Sequence, residues 1–302
     1  MHALPLVGSW DRRAMGWAGF LAAAIALYLG TNLALRARSE GPPEWPAGDR
    51  GTLIICGGGG VPDPVKARFL KLAGGESARL VVIPTAGGWA DEPGWDPADP
   101  WKKRGIRRVE VLHTRDRKRA DDPSFYRPID DATAVWISGG YQSWLSEAYV
   151  GTGVERALAR LLQRGGVIGG TSAGASILSK VMMDGGRVEG EAGLGFDLAP
   201  GVVIDQHFLK RNRMKRLFRV LSEHDDLIGL GVDEETALEF DLSHNRLMAH
   251  GNSYALICIP PDRDPDGEPR IEVLKPGDEA DLNRIRDRSA QAVVTRIAIE
   301  EL

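Results

Sequence analysis

From residue 51 onward the chain alternates short β-branched apolar runs with stretches suited to helices. TLIICGGGG (52–60), ARLVVIPTAGG (78–88), RRVEVLHT (107–114), TAVWISGG (133–140) and GGVIGGTS (165–172) each read as a strand, several ending in glycine. The alternation predicts an α/β fold, a mainly parallel sheet flanked by helices. In such sheets ligands gather outside the carboxyl ends of the strands, where these glycine-rich turns fall. LIGLGVD (227–233), RLMAHG (246–251) and RIEVLKP (270–276) supply further strands, while residues 89–105, rich in Trp, Asp and Pro, read as an exposed loop.

The N-terminal pattern is different. WAGFLAAAIALYLGTNLAL (17–35) carries no charge over 19 residues, which at ~1.5 Å per residue approaches the ~30 Å of a hydrocarbon layer. Its apolar character runs round the whole circumference, which sets it apart from a core helix. The expected organisation is a tail (1–16), a transmembrane helix or signal anchor (17–35), a Pro-rich linker (36–50) and a catalytic domain (51–302). Arg12 and Arg13 make the leading flank more positive than 36–50, so the domain is expected outside the cytoplasm, anchored by this helix or secreted if it is cleaved.

Composition changes this picture only by exclusion. With 38 Lys and Arg against 42 Asp and Glu, a net charge of −4, there is no global basic field for nucleic acid. Cys56 and Cys258 have neither Cys-x-x-Cys spacing nor neighbouring His pairs, so they read as buried strand thiols, with no metal expected. CGGGG (56–60) departs from the dinucleotide fingerprint, because the last glycine position is Pro62, and no Gly-Lys-Ser/Thr follows.

The chemistry gathers around Gly170-Thr171-Ser172-Ala173-Gly174, a G-x-S-x-G between a strand and a helix pattern. The pattern describes a nucleophile elbow, with Ser172 exposed and the Ala173 N–H free to serve an oxyanion. By itself it fits a tight strand–helix junction equally well. A serine nucleophile needs a histidine base and a carboxylate to orient it. Of six histidines, His207 alone stands at a second strand-to-helix transition, VVIDQHF before KRNRMKRLFRVL. LIGLGVDEETALEF reads as a third such transition and offers Asp233, Glu234 and Glu235 as partners, between which spacing does not choose. The order Ser, His, acid differs from that of α/β-hydrolases.

Together Gly139-Gly140-Tyr141-Gln142, GTSAGA (170–175), Asp205-Gln206-His207-Phe208, the arginines of RNRMKR, IPTA (83–86) and Gly231-Val232-Asp233-Glu234-Glu235-Thr236-Ala237 resemble the serine peptidases of the cyanophycinase and aspartyl dipeptidase group. The resemblance spans most of 51–260 and implies a class I glutamine amidotransferase-like (flavodoxin-like) fold needing no cofactor. It implies Ser172 as nucleophile, His207 as base and acid, Glu234 as its carboxylate partner, and the Gly140 and Ala173 amides as oxyanion hole. Gln142, Asp205, Arg211, Arg213 and Arg216 match positions lining the family's substrate pocket. Cyanophycinases cut a polyaspartate bearing arginine on its side chains into β-Asp-Arg dipeptides. The family usually has Asp where this chain has Tyr141.

The expected function is therefore a serine exopeptidase acting on cyanophycin or related Asp-containing (iso)peptides. An α-aspartyl dipeptidase and a catalytically silent binding protein are the alternatives. Expected partners are the peptide substrate, the membrane through 17–35 and a second copy in a homodimer.

Overall fold

The computed structural model describes residues 51–184, 192–260, 269–286 and 294–296. The apolar segment 17–35 and the linker after it lie outside the described residues; among the described ones no helix is long and apolar enough to cross a membrane. In chain order the first half runs β1 (Thr52–Cys56), α1 (Asp63–Leu72), β2 (Arg79–Ile83), α2 (Asp99–Lys102), β3 (Arg108–Val111), α3 (Arg117–Ala120), α4 (Pro123–Asp131), β4 (Ala134–Ile137), α5 (Gln142–Tyr149), α6 (Gly153–Gln163), β5 (Val167–Thr171) and α7 (Ala173–Ser176). The second half adds β6 (Val181–Met183), β7 (Ala192–Leu194), β8 (Val202–Gln206), α8 (Met214–Glu223), β9 (Ile228–Val232), β10 (Thr236–Asp241), β11 (Arg246–Gly251), β12 (Ala255–Ile259), β13 (Arg270–Leu274), β14 (Asp278–Asp281), α9 (Leu282–Arg286) and β15 (Val294–Arg296).

The large sheet has the order β15-β14-β11-β10-β1-β5-β4-β2-β3. Its five strands β1, β5, β4, β2 and β3 are mutually parallel, as the βα alternation predicts, and β10, β11, β14 and β15 extend it antiparallel. A second sheet, β13-β12-β9-β8, pairs β8 with β9 in parallel. The chain crosses from the second sheet into the first through the turn Asp233–Glu235, between β9 and β10.

One core lies under α1. Ile54 and Cys56 of β1 share a face with Val65 and Phe69 of the helix, and Phe69, Trp101 and Trp136 form a triangle of rings with centroids 5.0 to 5.4 Å apart. Such tilted and edge-on aromatic pairs contribute about 0.5–1.5 kcal/mol each beyond the area they bury. The other core lies between α8 and the small sheet, where Leu217, Val220 and Leu221 meet Val203, Leu256 and Cys258. Both cysteines are thus strand thiols, and burial pushes each up to about 12.

Two sequence expectations are corrected. Residues 89–105 are not wholly an exposed loop, because α2 turns Trp101 into the core at 5% exposure. The segment after Asp233–Glu235 is strand β10 rather than a helix, although Glu239 sits within it, largely buried. The carboxylate is tolerated because Arg68 of α1 donates two hydrogen bonds to it, at 2.7 and 2.6 Å, and His250 of β11 approaches to 3.0 Å.

Burial pushes the Glu239 carboxyl up, but these hydrogen bonds and charges override it and hold the group at about 2. A carboxyl held below its ordinary value stabilises the fold above that value, and the contribution drains away as the pH falls towards the native one. The urea midpoint of the native chain should therefore fall between pH 5 and pH 2. Glu239→Gln should lower the midpoint at pH 7 and flatten that fall; equal acid slopes in both chains would contradict the assignment.

Candidate active site

Each residue of the site comes from the carboxyl end of a strand. Ser172 follows β5 directly and caps α7 with φ 53° and ψ −113°, a conformation rare for any residue but glycine. The two glycines of the motif are there because the elbow is tight. A Cβ on Gly170 would lie 2.0 Å from the Gly174 carbonyl oxygen, and one on Gly174 would lie 2.2 Å from that of Ile137. His207 follows β8 with φ 50°, and Glu234 lies in the turn after β9, followed by Glu235 at φ 54°. Ser172 thus comes from the large sheet, His207 from the small one and Glu234 from the turn that joins them.

These side chains form one line of hydrogen bonds. Ser172 Oγ lies 2.9 Å from His207 Nε2, and His207 Nδ1 lies 2.7 Å from Glu234 Oε1. With Nδ1–H donating to the carboxylate, Nε2 is left to accept from the serine hydroxyl. Glu235, the sequence alternative, turns away and accepts from Asn252 Nδ2 at 3.1 Å. Asp233, the other alternative, accepts from the Lys210 N–H and the Ser253 hydroxyl.

The backbone that holds them is the glycine run after β1, which the sequence placed at the ligand end of a strand without showing what its glycines support. Cys56 O accepts from Ser172 N at 3.0 Å, Gly57 O from His207 N at 2.7 Å, and Gly58 O from Glu235 N at 3.0 Å. Gly58, at φ +101°, also passes so close to the imidazole that a Cβ would lie 2.3 Å from His207 Cε1. The signal in the sequence was there: glycines directly beyond a central strand mark a close backbone approach.

Burial lowers the His207 pKa below the ordinary histidine value; the hydrogen bond to Glu234 opposes this, and the charges of Arg211 and Arg213 reinforce it. The imidazole is therefore neutral and able to accept a proton near pH 7.

The five pocket candidates do not stay together. Arg211 is exposed and borders, with Lys210, Asn212 and Arg213, a cavity of about 470 Å³ in the turn that follows His207 in the chain. Arg213 is mostly turned inward, donating to Gln206 O at 2.6 Å and Gln206 Oε1 at 2.7 Å, and burial with the nearby Arg216 charge brings it down to about 10. Asp205 and Arg216 are 0% and 2% exposed, and Arg216 donates to both carboxylate oxygens of Asp205 through Nε and Nη2. The structure thus corrects their direct pocket role: each neutralises the other beneath the site, because a lone charge there would be too costly to bury. Gln142 begins α5 and its amide donates to Met183 O at 2.9 Å. Ala173 takes the first position of α7, where its N–H has no acceptor within the helix, and Gly140 follows Gly139, where a Cβ would lie 3.2 Å from Ser172 Cβ. A larger cavity, about 770 Å³, lies at the amino ends of β2 and β3 near Arg79 and Arg108, far from Ser172 in the fold.

The family model for peptidase family S51 matches residues 53–248. The chain belongs to this family. As an S51 member it is a serine-type peptidase. It is similar to the cyanophycinase of Synechococcus elongatus, 31% identical over 243 residues, covering 76% of this chain and 74% of that protein. Two solved structures share the S51 fold. A peptidase from an acI-B1 actinobacterium has a TM-score of 0.59 at 23% identity, covering 77% of this chain and 97% of its own. A putative peptidase E from Listeria monocytogenes EGD-e has a TM-score of 0.50 at 16% identity, covering 68% and 100%.

Removing the Arg211 charge should raise the His207 pKa. In Arg211→Gln, the pH titration of the His207 ring followed by NMR should move upward from its position in the native chain, and a downward move would refute the charge reading.

Proposed function

We propose that the chain is a serine exopeptidase that hydrolyses cyanophycin or related Asp-containing (iso)peptides to dipeptides. The observation that carries this reading is the unbroken line Ser172–His207–Glu234. The S51 relationship and the cyanophycinase relative support the substrate class.

In the proposed reaction His207 Nε2 takes the hydroxyl proton as Ser172 Oγ attacks the scissile carbonyl carbon. Glu234 holds the imidazole in the required tautomer and stabilises the imidazolium that forms. The amides of Gly140 and Ala173 receive the developing oxyanion; one such donor is worth about 10²–10³ in rate. The carbon–nitrogen bond then breaks, and His207 returns the proton to the leaving amine, giving an acyl-enzyme on Ser172. Water, deprotonated by His207, attacks the ester and releases the second product with the serine restored. Exposed Arg211, one turn from His207, is the cation placed to receive a substrate carboxylate.

Incubation of the full chain with cyanophycin should release β-Asp-Arg, detected by mass, and Ser172→Ala should cut that rate by more than roughly 10³-fold. Release sustained by the variant would remove Ser172 from the mechanism. Release from neither chain, with α-Asp dipeptides cleaved instead, would move the substrate to the aspartyl dipeptidase class, and failure of a fluorophosphonate to label Ser172 would point to a silent binding protein.

Gly58→Ala tests the support of the histidine. It should lower kcat/KM by about 10²-fold, the order expected when a catalytic group is displaced by about 1 Å, while far-UV circular dichroism stays that of the native chain. Undiminished activity would show that the close approach of Gly58 to the ring does not matter.

A further inference from the structure

Close to the turn that packs on the serine lie two pairs of aromatic rings that the catalytic line does not use. A Cβ on Gly139 would lie 3.2 Å from Ser172 Cβ, so this turn packs on the nucleophile. Tyr141 is two residues on, which at ~3.8 Å per Cα step keeps its backbone within about 8 Å of that contact. Tyr141 is 59% exposed, and its ring packs on Trp144 with centroids 4.5 Å apart. The Arg115 guanidinium lies over Trp144, 4.3 Å from the ring centroid, and donates to Gly87 O at 3.2 Å. Trp89 lies against Gly87, where a Cβ would come within 2.8 Å of the indole, and it packs in turn on Trp95 at 3.8 Å between centroids.

Two surfaces are thereby stitched into one. The turn after β2 is tied to the turn after β4 through the Tyr141 N–H donating to Ala86 O at 2.8 Å. Asp91 holds Arg115 by an ion pair and accepts from His113 Nε2 at 2.8 Å, while His113 Nδ1 meets Thr85 Oγ1 at 2.8 Å. Tyr141 is exposed and Trp144 half-buried beneath it, and an exposed ring two residues beyond a turn packed on a nucleophile is surface that a ligand can cover.

We propose that Tyr141 and Trp144, with Arg115 behind them, form a specificity subsite that takes a planar aromatic side chain of the substrate. The subsite rests on the peptidase reading of Ser172. The occupant follows from charge. A substrate guanidinium on these rings would be brought beside the Arg115 guanidinium, which already lies over the Trp144 ring. An aromatic ring meets no such repulsion and gains offset or edge-on contacts with Tyr141.

The test compares kcat/KM for Asp-Phe, Asp-Ala and Asp-Arg, each in α- and β-linked form, with the full chain and its Tyr141→Ala, Tyr141→Phe and Trp144→Ala variants. The phenylalanine substrate should exceed the alanine one by about ten-fold, the rate equivalent of one good aromatic pair, and exceed the arginine one as well. Tyr141→Ala and Trp144→Ala should bring the Phe-to-Ala ratio towards one, chiefly through KM, and Tyr141→Phe should keep it. A ratio near one in the native chain, a preference for arginine, or a ratio unmoved by both alanine variants would overturn the subsite. Calorimetric binding of the same peptides to Ser172→Ala separates the two levels: an aromatic preference in binding without turnover by the native chain would sink the peptidase reading and keep the subsite, whereas turnover without the preference would do the reverse.

Discussion

Three consecutive carbonyls, those of Cys56, Gly57 and Gly58, each hold a residue whose backbone is bent into the left-handed half of conformational space. Ser172, His207 and Glu235 sit at φ 53°, 50° and 54°, and each donates its N–H to one of the three. Such conformations cost of order 1–3 kcal/mol apiece and persist only where surrounding structure over-determines them. Here the determining structure is the end of the central strand β1, which pairs with β5 on one side and β10 on the other. The position of every group in the serine–histidine–carboxylate line is thus referred to one short stretch of main chain.

That arrangement explains why the site lies between two sheets. The serine needs the end of a parallel strand in the large sheet, and the histidine needs the end of β8 in the small one. The turn Asp233–Glu235 must cross between them, so the carboxylate arrives at the junction. Below it, the enclosed Asp205–Arg216 pair gives the His207 turn a neutral floor. Arg213 is drawn inward towards that floor, leaving Lys210 and Arg211 as the cations of this turn that face outward.

Much of this was legible in the chain. Ser172 and His207 stand out because each follows an apolar strand run directly, a signal contained in a few neighbouring residues. Glu234 and Glu235 could not be separated by position, because they are adjacent and the choice depends on the positive φ of Glu235, which a sequence pattern does not show. Strand β10 was missed for another reason: Glu239 looks out of place in a strand until Arg68, 171 residues away, is brought against it. Trp101 was likewise hidden in a loop-like run of Pro and Asp, though its ring completes the core with Phe69 and Trp136. The run Cys56–Gly60 was noticed and given the wrong comparison, since its glycines serve a histidine ring and not a phosphate. Asp205 and Arg216 were read as a polar lining because a buried ion pair and an open one have the same letters.

The dispersal of the site along the chain also gives it an order of assembly. Ser172 leaves the ribosome 62 residues ahead of Glu234, and until β9 and the turn after it have docked, no carboxylate stands behind His207. A nascent or incompletely docked chain therefore carries only an ordinary serine hydroxyl. Because the site is split between two sheets, its line of hydrogen bonds closes only once both sheets have docked.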